Sequence, residues 1–251
     1  MQHDFRYISK KDPRVRAAYE NLMELLAEVH RDLKKDYTFQ HKIVGSYSRN
    51  MITYDAKSNT GFDFDINIYS NEDSDSYGAK DVKLLFKKAL DCHCKAYGFD
   101  YAEDSTRVLT IKVIDRSRSR IVYSVDFAFV NDYVDDNGED RQEYICFNKK
   151  QNYYSWEKQS QGYYMLPDKI EWIKEQDLWE SDLKPRYIEK KNENSDPDLH
   201  SRTIFANTVH EICMKYGYYY NLTHATSSSL SATIRPIEAS LFLEVLPPLV
   251  S

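Results

Sequence analysis

Two hydrophobic periods alternate along this chain, and the points where one gives way to the other mark its elements. After Asp12-Pro13, the residues Val15, Tyr19, Leu22, Leu26, Val29 and Leu33 recur at three- and four-residue spacing. That is one face of a helix, with Asp as its cap and Pro at its first position, and it predicts a helix ending near Lys35. Thr38 to Val44 reads as a strand leading into Gly45-Ser46, and Tyr54 to Gly61 as an exposed loop. From Phe62 the period becomes two. Phe62, Phe64, Ile66 and Ile68 share one face of a strand, while Asp63 and Asp65 share the other. Asn71 to Gly78 is acidic and turn-rich and reads as a solvated loop. Ala79 to Tyr97 reads as a helix, with Val82, Leu85, Phe86, Ala89, His93 and Ala96 on one stripe and Gly98 as its stop. His93 is expected as a core or boundary residue.

Two strands follow, Thr106 to Ile114 and Ile121 to Val130, joined by a polar hairpin turn over Asp115 to Ser119. In the second strand Ile121, Tyr123, Val125, Phe127 and Phe129 form an apolar face, and Asp126 falls on the other. The polar stretch around Asn137-Gly138 is expected to be a mobile insertion, Tyr144 to Phe147 a short strand, and Asn148 to Gly162 irregular. From Pro167 onward the pattern is helical: Pro167 to Glu180, Pro185 to Asn192, and Asp198 to Tyr216. Residues 223–251 are rich in Ser and Thr and then apolar, and the pattern assigns them no role. The switch from strands to helices predicts an α+β fold. A mixed sheet with flanking helices is expected over 1–147, and a mainly helical part over 148–251.

The chemistry suggested by this pattern is that of carboxylates. Asp is depleted in strands, so two in successive outward positions are unusual. Such a pair is self-repelling unless a cation lies between its members. Hard divalent ions such as Mg²⁺ or Mn²⁺ take oxygen ligands. Asp126 stands in a strand that is apolar almost throughout, where a charge needs a partner or a metal. A buried salt bridge to an arginine is the plainer alternative for Asp126, and a solvated polar face is the plainer one for Asp63 and Asp65. Gly45 allows backbone N–H groups to approach a ligand closely, and Ser46 and Ser48 add hydroxyl donors.

Composition narrows the classes. Hydrophobic residues make up 41% of 251, enough for a core, and 21 are tyrosines. A formal charge of −6 argues against a general binder of extended nucleic acid. No apolar run approaches a membrane span, and the polar start MQHDFRYISKKDPRVR is no secretory signal. Cys92, Cys94, Cys146 and Cys213 lack C-x-x-C spacing and read as reduced, mostly buried thiols of a cytoplasmic protein.

Taken in order, Val44-Gly45-Ser46, Asp63-Phe64-Asp65 and Asp126 resemble the nucleotidyltransferase superfamily of the DNA polymerase β type. The likeness covers residues 38–130, about half the chain. The sixteen residues between Ser46 and Asp63 are more than is usual there. The downstream half, with Trp156 and its helices, loosely resembles the branch of oligoadenylate synthases and cyclic GMP–AMP synthase. The resemblance implies a nucleotidyltransferase-type core whose helical part completes the cleft. It implies transfer of a nucleoside monophosphate from a nucleoside triphosphate such as ATP to an acceptor hydroxyl, with two Mg²⁺ or Mn²⁺ ions. Asp63, Asp65 and Asp126 would be catalytic and metal-binding. Gly45, Ser46 and Ser48 would hold phosphates. A basic residue is expected to join them, with Lys184, Lys190, Lys191 and Arg202 as candidates and Lys191 the one taken. Tyr153, Tyr154 or Tyr218 is a candidate to stack on the base. The resemblance to that branch implies a nucleotide second messenger or an oligonucleotide as product; the base and the acceptor are not legible. The alternative is a catalytically silent relative that binds nucleotide or a protein.

Overall fold

A computed structural model describes residues 3–58, 60–71, 77–196 and 199–218. Much of the acidic loop read over Asn71 to Gly78, and all of residues 223–251, lie outside the described residues. The elements in chain order are β1 (Phe5–Tyr7), α1 (Pro13–Leu33), β2 (Phe39–Val44), α2 (Gly45–Ser48), β3 (Thr53–Asp55), β4 (Phe62–Ser70) and α3 (Ala79–His93). There follow β5 (Glu103–Asp104), β6 (Val108–Asp115), β7 (Arg120–Val134), β8 (Asp140–Asn148) and β9 (Tyr153–Lys158). Then come α4 (Gln161–Glu175), a π turn at Trp179–Leu183, α5 (Lys184–Glu193) and α6 (Ser201–Lys215). This is the α+β architecture expected from the sequence. The chain divides into two compact units, one of residues 1–159 with 188–197 and one of 160–187 with 198–251.

The sheet unit holds a seven-stranded sheet in the order β2-β4-β7-β6-β5, with β8 paired to β7 and β9 to β8. Among the described residues β4 and β7 run parallel, and the other pairs of this sheet are antiparallel. The period-two pattern places Phe62, Phe64, Ile66 and Ile68 of β4, and Tyr123, Val125, Phe127 and Phe129 of β7, on one buried face. Helices α1 and α3 supply the apolar stripes that face it. Phe86 of α3 lies 5.6 Å from Phe127, 5.2 Å from Phe129 and 5.1 Å from Phe39, ring centre to ring centre. From α1, Asn21 donates to the Tyr123 hydroxyl at 2.9 Å. Asp12 caps α1 by accepting from the Arg14 N–H at 2.9 Å. The helix predicted to reach Tyr97 gives way at Cys94–Tyr97 to a tighter 3₁₀ turn, closed by Gly98 in the left-handed region at φ 77°. His93 sits at the boundary, bonded to Asp32 at 2.6 Å.

Four readings of the sequence are corrected here. The stretch from Tyr54 is not all exposed loop: β3 pairs with β1, and Asp55 is wholly buried. The polar insertion is an ordered hairpin, because β7 runs on to Val134 and pairs with β8. The segment read as irregular contains β9, with Phe147 and Tyr154 stacked 4.2 Å apart across the pair. Pro167 does not start a helix but lies inside α4. There it removes the N–H that would have reached the Tyr163 carbonyl one turn back. Two of the four cysteines, Cys94 and Cys213, are buried, Cys146 is partly so and Cys92 is exposed; all are free thiols.

The helical unit has its own small core of Ile173, Leu183, Ile204, Val209 and Ile212. Phe205 meets Tyr187 edge-on at 5.8 Å. Among the described residues no helix is long and apolar enough to cross a membrane.

Candidate active site

All of the carboxylates singled out in the sequence sit on the sheet face opposite α1 and α3. Strand alternation puts Asp63 and Asp65 there on β4, and the parallel register sets Asp65 directly beside Asp126 of β7. Adjacent strands are about 4.8 Å apart, so these two carboxylates are lateral neighbours. Asp126 is held from its other side by Thr110 of β6, whose hydroxyl donates to it at 2.5 Å. Burial pushes the Asp126 carboxyl up to about 6; Thr110 opposes this and the charge of Asp65 adds to it. Burial pushes Asp63 up to about 7, reinforced by Asp65 and Asp126 and opposed by Lys191 and Arg49. The strip is a place where negative charge is under stress.

Gly45 opens the short helical turn α2 at the end of β2, next to β4. Its φ of +64° is a left-handed conformation, and a Cβ there would fall 1.8 Å from Oδ2 of Asp65. Glycine is therefore required twice, by backbone conformation and by the Asp65 carboxylate lying against it. Ser46 is the next residue of the same turn. The Ser48 hydroxyl donates back to the Gly45 carbonyl at 2.9 Å, which leaves its oxygen as an acceptor.

Lys191, one of four cations named from sequence, is brought to this strip from 128 positions beyond Asp63. It is only 5% exposed. Its Nζ donates to Thr53 Oγ1 at 2.8 Å and lies 4.1 Å from the centre of the Phe5 ring. Burial lowers its pKa to about 8, against the pull of Asp63 and Asp55. The following residue, Asn192, clasps the Phe5 backbone, accepting from its N–H at 2.6 Å and donating to its carbonyl at 3.2 Å. The sixteen residues between Ser46 and Asp63 thus have a use: they form β3, which carries Thr53 toward Lys191 and pairs with β1. Lys184 pairs with Glu180 at 2.9 Å in the helical unit. Tyr154 is committed to Phe147 and donates to Asp104 at 2.7 Å, while Tyr218 packs on Trp172. Tyr153 is 60% exposed.

Sequence reading missed Arg49 and Thr53. Arg49 follows Gly45 by four residues, one helical turn, and its charge acts on Asp63. That spacing was visible in the sequence. Thr53 became meaningful only once Lys191 was placed.

The donors suit a hard divalent cation by chemistry, since they are anionic oxygens whose burial a cation would offset. Among the described residues, however, no three acidic, His or Cys side chains converge closely enough to hold an ion as they stand. Asp65 leans on Gly45 and Asp126 on Thr110, so side-chain rotation would be needed to gather them.

A mixed sheet with Gly-Ser after one strand, paired carboxylates on the next and a third on its parallel neighbour is the nucleotidyltransferase fold. Solved structures bear this out. The chain is similar to the STING-associated CdnE c-di-GMP synthase from Capnocytophaga granulosa, with a TM-score of 0.50 and 19% identity over 85% of this chain and 64% of that one. It is similar to Vibrio cholerae DncV in its 3'-deoxy ATP bound form, with a TM-score of 0.50 and 14% identity over 85% of this chain and 54% of that one. The DncV complex with GTP and 5MTHFGLU2 aligns at 12% identity with a TM-score of 0.50, over 85% of this chain and 56% of that one. The chain thus spans between about half and two-thirds of the length of these three proteins. Identities this low speak to fold alone. No family model matches the sequence, and no curated protein does.

Proposed function

We propose that this protein is a divalent-metal-dependent nucleotidyltransferase that moves a nucleoside monophosphate from a nucleoside triphosphate to an acceptor hydroxyl. The observation that carries this reading is the lateral register of Asp65 and Asp126, with Asp63 on the same face and Gly45 against Asp65. Solved proteins of this fold include a c-di-GMP synthase and a DncV complex with GTP. They support a nucleotide second messenger, or a short oligonucleotide, as the product.

Asp63, Asp65 and Asp126 are the residues that would hold Mg²⁺ or Mn²⁺, two ions in all. When bound, such ions neutralise phosphate charge and acidify an attacking hydroxyl. The protein's own groups have distinct tasks. The acceptor oxygen forms a bond to the α-phosphorus as the bond from that phosphorus to the pyrophosphate oxygen breaks. The hydroxyl proton passes to Asp126, the carboxylate that the strand register sets beside Asp65. Backbone N–H groups of the Gly45 turn, with the Ser46 hydroxyl, hold the departing phosphates; Ser48 joins them by turning its hydroxyl from the Gly45 carbonyl. Lys191 and Arg49 supply positive charge beside Asp63.

The experiment is to incubate the protein with each labelled nucleoside triphosphate and Mg²⁺ or Mn²⁺, without an added acceptor, and to resolve the products. Cyclic or oligonucleotide products, abolished in a folded Asp65→Asn variant, are expected. Transfer that persists undiminished in that variant would sink the reading. A silent nucleotide-binding relative is the second reading, and the non-convergence of the three carboxylates is the observation on its side. Nucleotide binding without turnover, with every acceptor class supplied, would favour it.

A further inference from the structure

On the far side of β4 from the carboxylates lies an open cleft of about 550 Å³, lined by Lys10, Lys11, Arg16, Tyr19, Glu20 and Tyr47. Its position follows from the strand pleat. Tyr47 belongs to the same turn as Gly45 and Ser46, and its ring rests 5.3 Å from that of Phe64. Phe64 stands between Asp63 and Asp65 in sequence and so points the opposite way. Tyr19 stacks on Tyr47 with ring centres 5.5 Å apart and planes 5° from parallel, forming an aromatic wall. Through Tyr47 the cleft thus adjoins the apolar face of β4, the face turned away from the carboxylates.

The charges of the cleft are unlike those around it. Neighbouring arginines are tied to acids: Arg6 to Asp4 at 2.7 Å and Arg14 to Asp12 at 2.9 Å. Arg16 faces Glu20 only at 3.9 Å, with both side chains about two-thirds exposed. Such a pair constrains neither partner much. Lys10 lies 4.6 Å over the Tyr47 ring. Among the described residues neither Lys10 nor Lys11 makes an ion pair. Three cations against one carboxylate thus line a concave surface of a chain whose net charge is −6.

We propose that this cleft is a second anion site, which takes a small polyphosphate: two or more adjacent phosphates, free or as the tail of a nucleotide. Three cations lining one cleft match a multiply charged group better than a single carboxylate. Arginine and lysine together offer forked and point donors to phosphate oxygens. The negative charge of the whole chain disfavours an extended polyanion such as nucleic acid. This inference does not depend on the transferase reading.

The test is calorimetric titration of inorganic tripolyphosphate, and separately of ATP, into the full chain carrying Asp63→Asn and Asp65→Asn, in EDTA. Binding is expected, weakening with salt. Equal affinities would identify the phosphates alone as the ligand, and tighter ATP binding would assign the nucleotide as source. Lys10→Ala with Lys11→Ala should weaken binding about tenfold or more, as loss of two charge-assisted contacts implies. Lys10→Arg with Lys11→Arg should retain it. Lys34→Ala with Lys35→Ala, exposed cations at the other end of α1, is the control. Arg16→Gln gives an independent reading should the lysine variant fail to fold. No binding, binding indifferent to Lys10, Lys11 and Arg16, or equal weakening by the Lys34/Lys35 control would each overturn the proposal.

Discussion

At the scale of single residues, Gly45 and Asp63 are the positions where structure and chemistry constrain each other most. Gly45→Ala places a side chain in the left-handed region, which costs about 1–2 kcal/mol. Its Cβ also displaces the Asp65 carboxylate, 1.8 Å away. The variant should remain folded, with a modest fall in denaturation midpoint, yet lose nucleotidyl transfer nearly as fully as Asp65→Asn. Asp126→Asn should slow transfer by about 10²–10⁴-fold, the usual worth of a positioned base. Asp63 makes a pH prediction. Its carboxyl titrates near 7 in the fold and near 3.8 when unfolded. Between those values the folded state binds more protons, so this group's contribution to stability is full below about pH 4 and is lost as pH rises through 7. In EDTA, Asp63→Asn should therefore be more stable than wild type at pH 8, by roughly 2–4 kcal/mol, and no more stable at pH 4. Urea midpoints at the two pH values measure this; a variant less stable at both would contradict it. The three aspartates were legible in sequence because a strand sorts its side chains with a period of two and a carboxylate breaks that pattern conspicuously. Lys191 could be named only among several cations, because its neighbours Thr53 and Phe5 are far away along the chain.

Among the elements, the edge of the sheet shows why some structure was illegible. Strand β9 is the run Tyr153–Lys158, YYSWEK, whose exposed and half-buried positions do not alternate cleanly. What fixes it is a partner: β8 on one side, and beneath it a lysine that sequence reading would leave in solvent. Lys83 of α3 is wholly buried. Its Nζ reaches Asp104 at 2.8 Å and the Ser105 carbonyl at 2.7 Å, and it lies 5.9 Å from the centre of the Tyr154 ring. Tyr154 in turn donates to Asp104. One buried cation thus joins a helix, a short strand and the final hairpin. Removing one partner of a buried pair leaves the other charge uncompensated, at a cost of about 3–5 kcal/mol. Lys83→Met should destabilise the protein by that order in urea unfolding. Adding Asp104→Asn should recover much of the loss, since the stranded carboxylate is then gone. If the double variant is no better than the single one, the pair is not what holds the hairpin. Pro167 teaches the converse. The preference of proline for the first turn of a helix is strong enough to mislead when its missing bond falls inside one.

For the molecule as a whole, the carboxylate strip is a standing electrostatic cost in the unliganded fold. Asp63 and Asp126 are both driven toward protonation by burial and by their neighbours. A chain already at −6 has little general positive field with which to relieve them. Ligands that bring positive charge to that strip should therefore stabilise the fold, and protons should compete with them. Melting temperature in Mg²⁺ with a non-hydrolysable nucleoside triphosphate should exceed that with either alone. At a hundredfold excess over Kd, linkage gives about 2.7 kcal/mol, a rise of several degrees for a protein of this size. The increment should be smaller at pH 5.5 than at pH 8, because at the lower value Asp63 and Asp126 are largely protonated and accept a cation poorly. Asp65→Asn should abolish the joint effect. Lys10→Ala with Lys11→Ala should leave it in place, since none of the three aspartates lines that cleft. An increment independent of pH, or one that survives Asp65→Asn, would place the nucleotide and its metal somewhere other than beside these three aspartates.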